Sequence, residues 1–229
     1  MQKCANLFKE LQQCFARSIF SLIYPPVCLH CDSSLTSGYL LFCQSCFLEL
    51  ELVPLEGDCS RCCSINGAIS HINQHDCPCV LFSKLYAAFF LDGPILTLYN
   101  KLKTFQGSYL CQVASSFMAI QYLNAKIPLP HVIIPVPQSI SDFFSTSYHF
   151  NYLLAENLAK IFNRPLLNAL EYSYLSGQLS LKRKASIRNQ TVLLVGDLLS
   201  SESKIGQCGS ILAQGYPREV YGLTFGLAL

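Results

Sequence analysis

Charge is scarce in this chain: only 13% of its 229 residues are Asp, Glu, Lys or Arg. Neither sign prevails, since sixteen basic residues face fourteen acidic ones for a formal net charge of +2. A clamp for nucleic acid in general carries a strongly basic balance, so indiscriminate polyelectrolyte binding is not expected. Also missing is an unbroken apolar run of about 18–20 residues, the length a membrane-spanning helix needs. The best candidate is split by Asp92-Gly93-Pro94. A short apolar stretch from Ser18 to Pro26 follows Lys3, Lys9, Glu10 and Arg17, but no small-residue cleavage site accompanies it, which speaks against a secretory leader. Internal repeats and low-complexity tracts are lacking. What is present is apolar: 51% of the residues are hydrophobic, enough for a sizeable core and far from the composition of a disordered chain. The expectation is a soluble, cytoplasmic protein with reduced thiols and no membrane span.

Pattern changes along the chain predict three parts: an amphipathic helix within residues 1–26, a metal-stapled module over 27–80, and an ordinary globular domain over 81–229. Leu7, Phe8, Leu11, Phe15, Ile19, Leu22 and Ile23 recur at helical spacing, and Pro25-Pro26 ends that helix. Its polar face is not rich in Lys and Arg, so packing on protein is favoured over membrane attachment. In the third part, Leu85–Leu91, His131–Pro137, Thr191–Val195 and Val220–Leu227 read as strands. Pro94–Phe105, Tyr109–Leu123, Phe150–Phe162 and Ile205–Gln214 read as helices, the last closed by Gly215. Strand alternating with helix over about 150 residues predicts an α/β fold with a parallel sheet.

Cysteine is the residue in excess. Eleven of the thirteen precede Asp92, and only Cys111 and Cys208 follow it. Eight form pairs: Cys28-x2-Cys31, Cys43-x2-Cys46, Cys59-x2-Cys62 and Cys77-x-Cys79, with 11, 12 and 14 residues between successive pairs. A C-x2-C turn aims two thiolates at one point, and a second turn about a dozen residues on completes a tetrahedral shell of four sulfurs. Soft thiolates in that geometry suit Zn²⁺, so two structural zinc ions are predicted. The simplest assignment is sequential, Cys28, Cys31, Cys43 and Cys46 on one ion and Cys59, Cys62, Cys77 and Cys79 on the other. A cross-braced pairing of first with third is an alternative, and Cys63, His71 or His75 could replace a cysteine of the second set. His30, inside the first turn, reads as a bystander.

The segment Val192–Ser203 carries the second signal. A buried strand is expected to end at Gly196-Asp197, pass through a hydroxyl-rich turn and enter a helix near Lys204. Ligands of open α/β sheets sit at the carboxyl ends of strands, and anions at the following helix N-terminus. Ser200 and Ser201 could cap that helix or hydrogen-bond a phosphate there. Elsewhere Lys182, Arg183, Lys184 and Arg188 form a short basic cluster, either a solvated face or a contact for phosphate or single-stranded nucleic acid.

Taken in order, several landmarks resemble the ComF/GntX family of competence proteins, in which a double zinc ribbon precedes a type I phosphoribosyltransferase-like domain. They are Tyr24-Pro-Pro-x-Cys28, the paired cysteines, Leu102-Lys103 with Gly107, Pro135-Val136-Pro137, Phe150-Asn151, Gln178-x2-Leu181, Asn189, the Val192–Ser203 loop, and the stretch from Gly215 to Thr224. The resemblance spans nearly the whole chain. It implies a site for phosphoribosyl pyrophosphate (PRPP), with Asp197 on the ribose hydroxyls, Ser200 and Ser201 on the 5′-phosphate, Lys103 beside it, and Mg²⁺ only if PRPP is bound. It also implies a role in DNA uptake and natural transformation, with single-stranded DNA and an uptake helicase or other competence proteins as partners. Two alternatives stand beside it: an active phosphoribosyltransferase, and an inert interaction scaffold.

The departures from the pattern weigh against transferase activity. Gly196 stands where the family has the first of two acidic residues, and Glu202 stands where its phosphate loop has glycine. A carboxylate about 4 Å from a bound phosphate repels it by roughly 4 kcal/mol at an effective dielectric near 20. The stretch from Gln138 to Asn151 contains no Lys or Arg where the family's is arginine-rich, and Ser186 replaces an expected arginine.

Overall fold

The computed structural model describes residues 26–35, 41–55, 81–138, 148–173, 177–199 and 204–228. The expected helix of residues 4–24, the four cysteines from Cys59 to Cys79, and Ser200 with Ser201 lie outside these residues. The chain divides into two compact units, Met1–Leu50 and Glu51–Leu229.

In the first unit a tight turn carries Cys28 and Cys31. Cys28 N–H donates to Ser33 O at 2.8 Å, Asp32 N–H donates to Cys28 O at 3.1 Å, and Val27 bridges Ser34. Asp32 takes the left-handed backbone that the turn requires (φ 57°), a conformation its short polar side chain tolerates. Helix α1 (Gln44–Leu48) follows, with Cys43 at its N-cap and Cys46 on its buried side. Five residues are far too few to be helical alone, so tertiary anchoring must hold α1 in place.

The second unit is built on four parallel strands: β1 (Lys84–Phe90), β2 (Val132–Pro135), β5 (Thr191–Leu199) and β6 (Glu219–Leu227), in the order β1-β6-β5-β2. Burial on both faces explains why each reads as a near-continuous apolar run, and the expected α/β class with a parallel sheet is present. Helices α2 (Gly93–Leu102), α3 (Cys111–Asn124) and α4 (Phe150–Phe162) cover one face. There Phe89 meets Phe117 edge-on at 5.6 Å, Tyr99 stacks on Phe225 at 6.1 Å, and the Ser115 hydroxyl bonds Leu154 O where α3 meets α4. On the other face Leu85, Ala87, Ile134, Val192 and Leu194 pack against Ile205, Cys208 and Leu212 of α5 (Ile205–Ala213).

Three expectations need correction. The strand predicted for Thr191–Val195 runs on to Leu199, because β6 continues the ladder (Gly196 with Thr224, Leu198 with Gly226) after β2 stops at Pro135 opposite Val195. Asp197 therefore lies on the strand. The helix expected over Pro94–Phe105 ends at Leu102, and Phe105–Leu110 winds into a 3₁₀ turn. Gly215 does not supply the left-handed residue after α5; Tyr216 does (φ 52°). A Cβ on Gly215 would fall 2.7 Å from Ile187 Cγ1, so this glycine is needed for close packing. The sequence reading also missed an antiparallel hairpin of β3 (Leu170–Tyr172) and β4 (Leu179–Leu181), whose strands are too short to show alternation.

Candidate functional site

The first unit gathers four thiols. The Sγ atoms of Cys28, Cys31, Cys43 and Cys46 all lie within 4.8 Å of one another, and Cys31 and Cys43 approach to 3.6 Å. Zn–S bonds of about 2.3 Å in a tetrahedron set neighbouring sulfurs just under 4 Å apart, so the tetrad could hold such an ion. The grouping is the sequential one for the first two pairs. Among the described residues it is the one His/Cys/Asp/Glu group compact enough to hold a metal.

Polar neighbours tune two of these sulfurs, Cys43 and Cys28, toward thiolate. The Ser45 hydroxyl, 3.1 Å from Cys43 Sγ, is the largest influence drawing that thiol down to about 5. Burial pushes Cys28 up, but backbone N–H groups of Cys31, Cys43 and His30 outweigh it and bring the thiol below its usual range. Cys46 moves the opposite way, raised by burial and then by the sulfurs around it. Four thiols converging on one point resist joint ionisation unless a cation sits among them. Cys111 and Cys208 have no such company; burial raises them to about 11 and about 12, and they are core thiols.

In the second unit, the carboxyl end of β5 presents Asp197. Its Oδ2 accepts a hydrogen bond from Lys103 Nζ at 2.6 Å and one from the Tyr99 hydroxyl at 3.3 Å. Tyr99 and Lys103 stand four residues apart on the C-terminal turn of α2 and its cap, which places both on one helix face. Burial and the adjoining Asp197 carboxylate raise the Tyr99 hydroxyl above its ordinary range, so it stays protonated and donates. The ammonium of Lys103 lies 4.9 Å from the ring centres of both Tyr99 and Phe150. Lys103 is thus fixed between two rings and one carboxylate.

The surroundings hold that lysine in place. The Tyr148 hydroxyl donates to Leu102 O, one of the carbonyls left open at the end of α2. Thr104 Oγ1 donates to Lys101 O at 2.7 Å, a carbonyl that also accepts the Thr104 N–H at 3.0 Å. Asn151, buried at the start of α4, donates to Val136 O at 3.2 Å, and its Oδ1 has no hydrogen-bond partner among the described residues. Tyr148 carried no sequence signal of a role. For Tyr99 the spacing to Lys103 was the available clue.

Lys103→Met is expected to destabilise this unit by about 1–3 kcal/mol in urea unfolding, because it leaves a partly buried carboxylate with one neutral donor. Asp197→Asn should cost less, and the double variant should show coupling between the two positions. Unchanged stability for Lys103→Met would show that the pair holds nothing together.

The structure brings Lys103 and Asp197 together but does not bring the basic cluster to them. Lys182 leaves β4 and pairs with Glu171 at 3.9 Å; Arg183, Lys184 and Arg188 are exposed on the connection that precedes Thr191. Asp197 lies six positions beyond Thr191 along the strand, about 20 Å of rise, so cluster and carboxylate occupy opposite ends of β5. No helix among the described residues is long and apolar enough to cross a membrane.

No protein-family model matches the chain, and no curated protein matches its sequence. Solved structures similar to it include the hypoxanthine phosphoribosyltransferase of Trypanosoma cruzi, at 17% identity over 54% of this chain with a TM-score of 0.33. This chain spans 65% of that enzyme's length, short of two thirds. The purine phosphoribosyltransferase of Pyrococcus horikoshii is 14% identical over 53% of this chain and 88% of its own (TM-score 0.36). The Leishmania tarentolae enzyme solved with GMP is 12% identical over 58% and 77% (TM-score 0.33).

Proposed function

We propose that this chain is a ComF-type accessory protein of DNA uptake, working in the cytoplasm on incoming single strands or beside a helicase partner. In this reading the cysteine tetrad holds a structural zinc ion, and a second ion takes Cys59, Cys62, Cys77 and Cys79. The sheet unit keeps a phosphoribosyltransferase-type frame without the transfer reaction. The observation that carries the loss of transfer is the bond between Lys103 and Asp197 at 2.6 Å. The acid that would hold ribose hydroxyls is neutralised by the cation that would meet the phosphate, so ligand binding has to break a partly buried pair first. Gly196 and Glu202 remove a further acid and add a repelling one. DNA handling is assigned to Lys182, Arg183, Lys184 and Arg188, away from Asp197.

Calorimetry with PRPP and Mg²⁺ is expected to show no micromolar binding; micromolar binding would restore the enzyme reading, with Asp197 on ribose and Ser200 and Ser201 on phosphate. Filter binding of single-stranded DNA should weaken roughly tenfold or more when Lys182, Arg183 and Lys184 are changed to Glu. Equal retention by parent and variant would remove the cluster from the reading.

A further inference from the structure

Two loops are stapled together at the amino end of β5 and β6. Asn189 N–H donates to Tyr216 O at 3.0 Å, and Arg218 N–H donates to Gln190 O at 2.9 Å. Gly215, bare of a side chain, lets the second loop settle on Ile187 of the first and on Leu181 at the end of β4. The staple brings Arg188 of one loop close to Arg218 of the other, and Arg183 and Lys184 lie earlier on the first loop; all four are exposed. Nearby carboxylates are already engaged: Glu219 accepts from the Tyr221 hydroxyl at 3.2 Å, and Glu171 pairs with Lys182.

At the centre of this basic edge stands an aromatic ring that packing does not explain. Tyr216 is 75% exposed, so its ring gains little from burial. Among the described residues no ring or cation contact occupies either of its faces. Its backbone is nevertheless left-handed (φ 52°), where a Cβ carries a steric penalty and glycine or asparagine fits better. Asn189, in the same conformation across the staple (φ 57°), is the sort of residue such a position favours. A large side chain held at a strained, solvent-facing position points to use.

We propose that Tyr216 is a stacking platform for a base of single-stranded nucleic acid, with Arg188 and Arg218 flanking it and Arg183 and Lys184 continuing the phosphate track. Every base has a π-face, so an aromatic ring set among cations binds single strands with little regard to sequence, whereas duplex bases are already stacked on one another. The inference rests on the DNA-handling reading and adds the ring and Arg218 to it.

The test is fluorescence anisotropy of the full chain with a labelled oligothymidylate of about fifteen nucleotides, an oligouridylate of the same length, and a duplex competitor. Tyr216→Gly relieves the backbone while removing the ring, so it is expected to keep or raise the melting temperature and to weaken binding about five- to a hundredfold. Tyr216→Phe should bind like the parent. Arg218→Ala should reduce the slope of log affinity against log salt by about 0.7, the loss of one single-strand phosphate contact. If the parent binds and Tyr216→Gly binds equally well, the platform is wrong while the DNA reading stands. If the parent binds neither oligonucleotide, the DNA reading itself falls, and a duplex that competes as well as single strands overturns the stacking role.

Discussion

Replacing Cys46 by serine is expected to remove the zinc ion proposed for the tetrad and to unfold residues 26–35 and 41–50, leaving the sheet intact. The reason is how little else that unit has. Among its described residues the buried apolar side chains are Cys28, Phe42 and Cys46, and two of these belong to the tetrad. Fully burying one Phe is worth about 1.5–3 kcal/mol, whereas a structural zinc ion in a small module contributes on the order of 10 kcal/mol. The metal term dominates, and α1, five residues long, has no means of staying helical without Cys43 and Cys46 fixed at its start. Elemental analysis gives the ion count. Hydrogen exchange gives the location: amides of residues 26–35 and 41–50 should exchange as in an open chain, while those of β5 and β6 keep their protection. Acid should act in the same direction as the substitution, since protonating the thiolates competes with the ion, and chelation at neutral pH should reproduce it. Retained zinc and retained protection in Cys46→Ser would show that the tetrad is not a metal site.

How much of this was legible from the residues depended on how local each interaction is. The C-x2-C spacing acts over a dozen residues, and its simplest, sequential reading is the grouping of Cys28, Cys31, Cys43 and Cys46 in the structure, whereas spacing by itself left a cross-braced pairing open. Phe150–Phe162 was readable because the apolar spacing that marks a helix, with Leu154 and Leu158 on its buried side, is local. The far end of β5 was not, since Gly196 and Asp197 break the apolar run, and Gly196, Leu198 and Leu199 are held in the ladder by β6, nearly thirty residues later. Tyr99 and Asp197 are 98 positions apart, and no window shorter than the fold joins them. Lys103 was singled out as a phosphate ligand, a role that depends on an isolated cation; its pairing with Asp197 is a product of how α2 ends against β5. Gly107 was noted as a landmark spacing, yet what fixes it is the approach of two backbones, to which composition and periodicity are blind.

Gly107→Ala should therefore be among the most damaging single substitutions in the sheet unit. A Cβ at this position would stand 1.9 Å from Lys101 O and 2.6 Å from Lys101 C. Both are backbone atoms at the end of α2, so no rotamer change relieves the overlap. The 3₁₀ turn Phe105–Leu110 has to lift away from the helix, and three contacts sit on that junction: Thr104 Oγ1 on Lys101 O, the Tyr148 hydroxyl on Leu102 O, and Lys103 on Asp197. Overpacking of this kind costs about 3 kcal/mol or more when the obstacle is main chain. Gly196→Ala is the matched control. Its new Cβ would meet side-chain carbons of Val136, Thr224 and Ile205 at 3.3, 3.5 and 3.7 Å, distances that small adjustments absorb, and its cost should stay near 1 kcal/mol. Urea unfolding of both variants, read by tyrosine fluorescence, separates them. Equal stability would mean that α2 and the following turn are free to shift, and the placement of Lys103 on Asp197 would then lose its mechanical support.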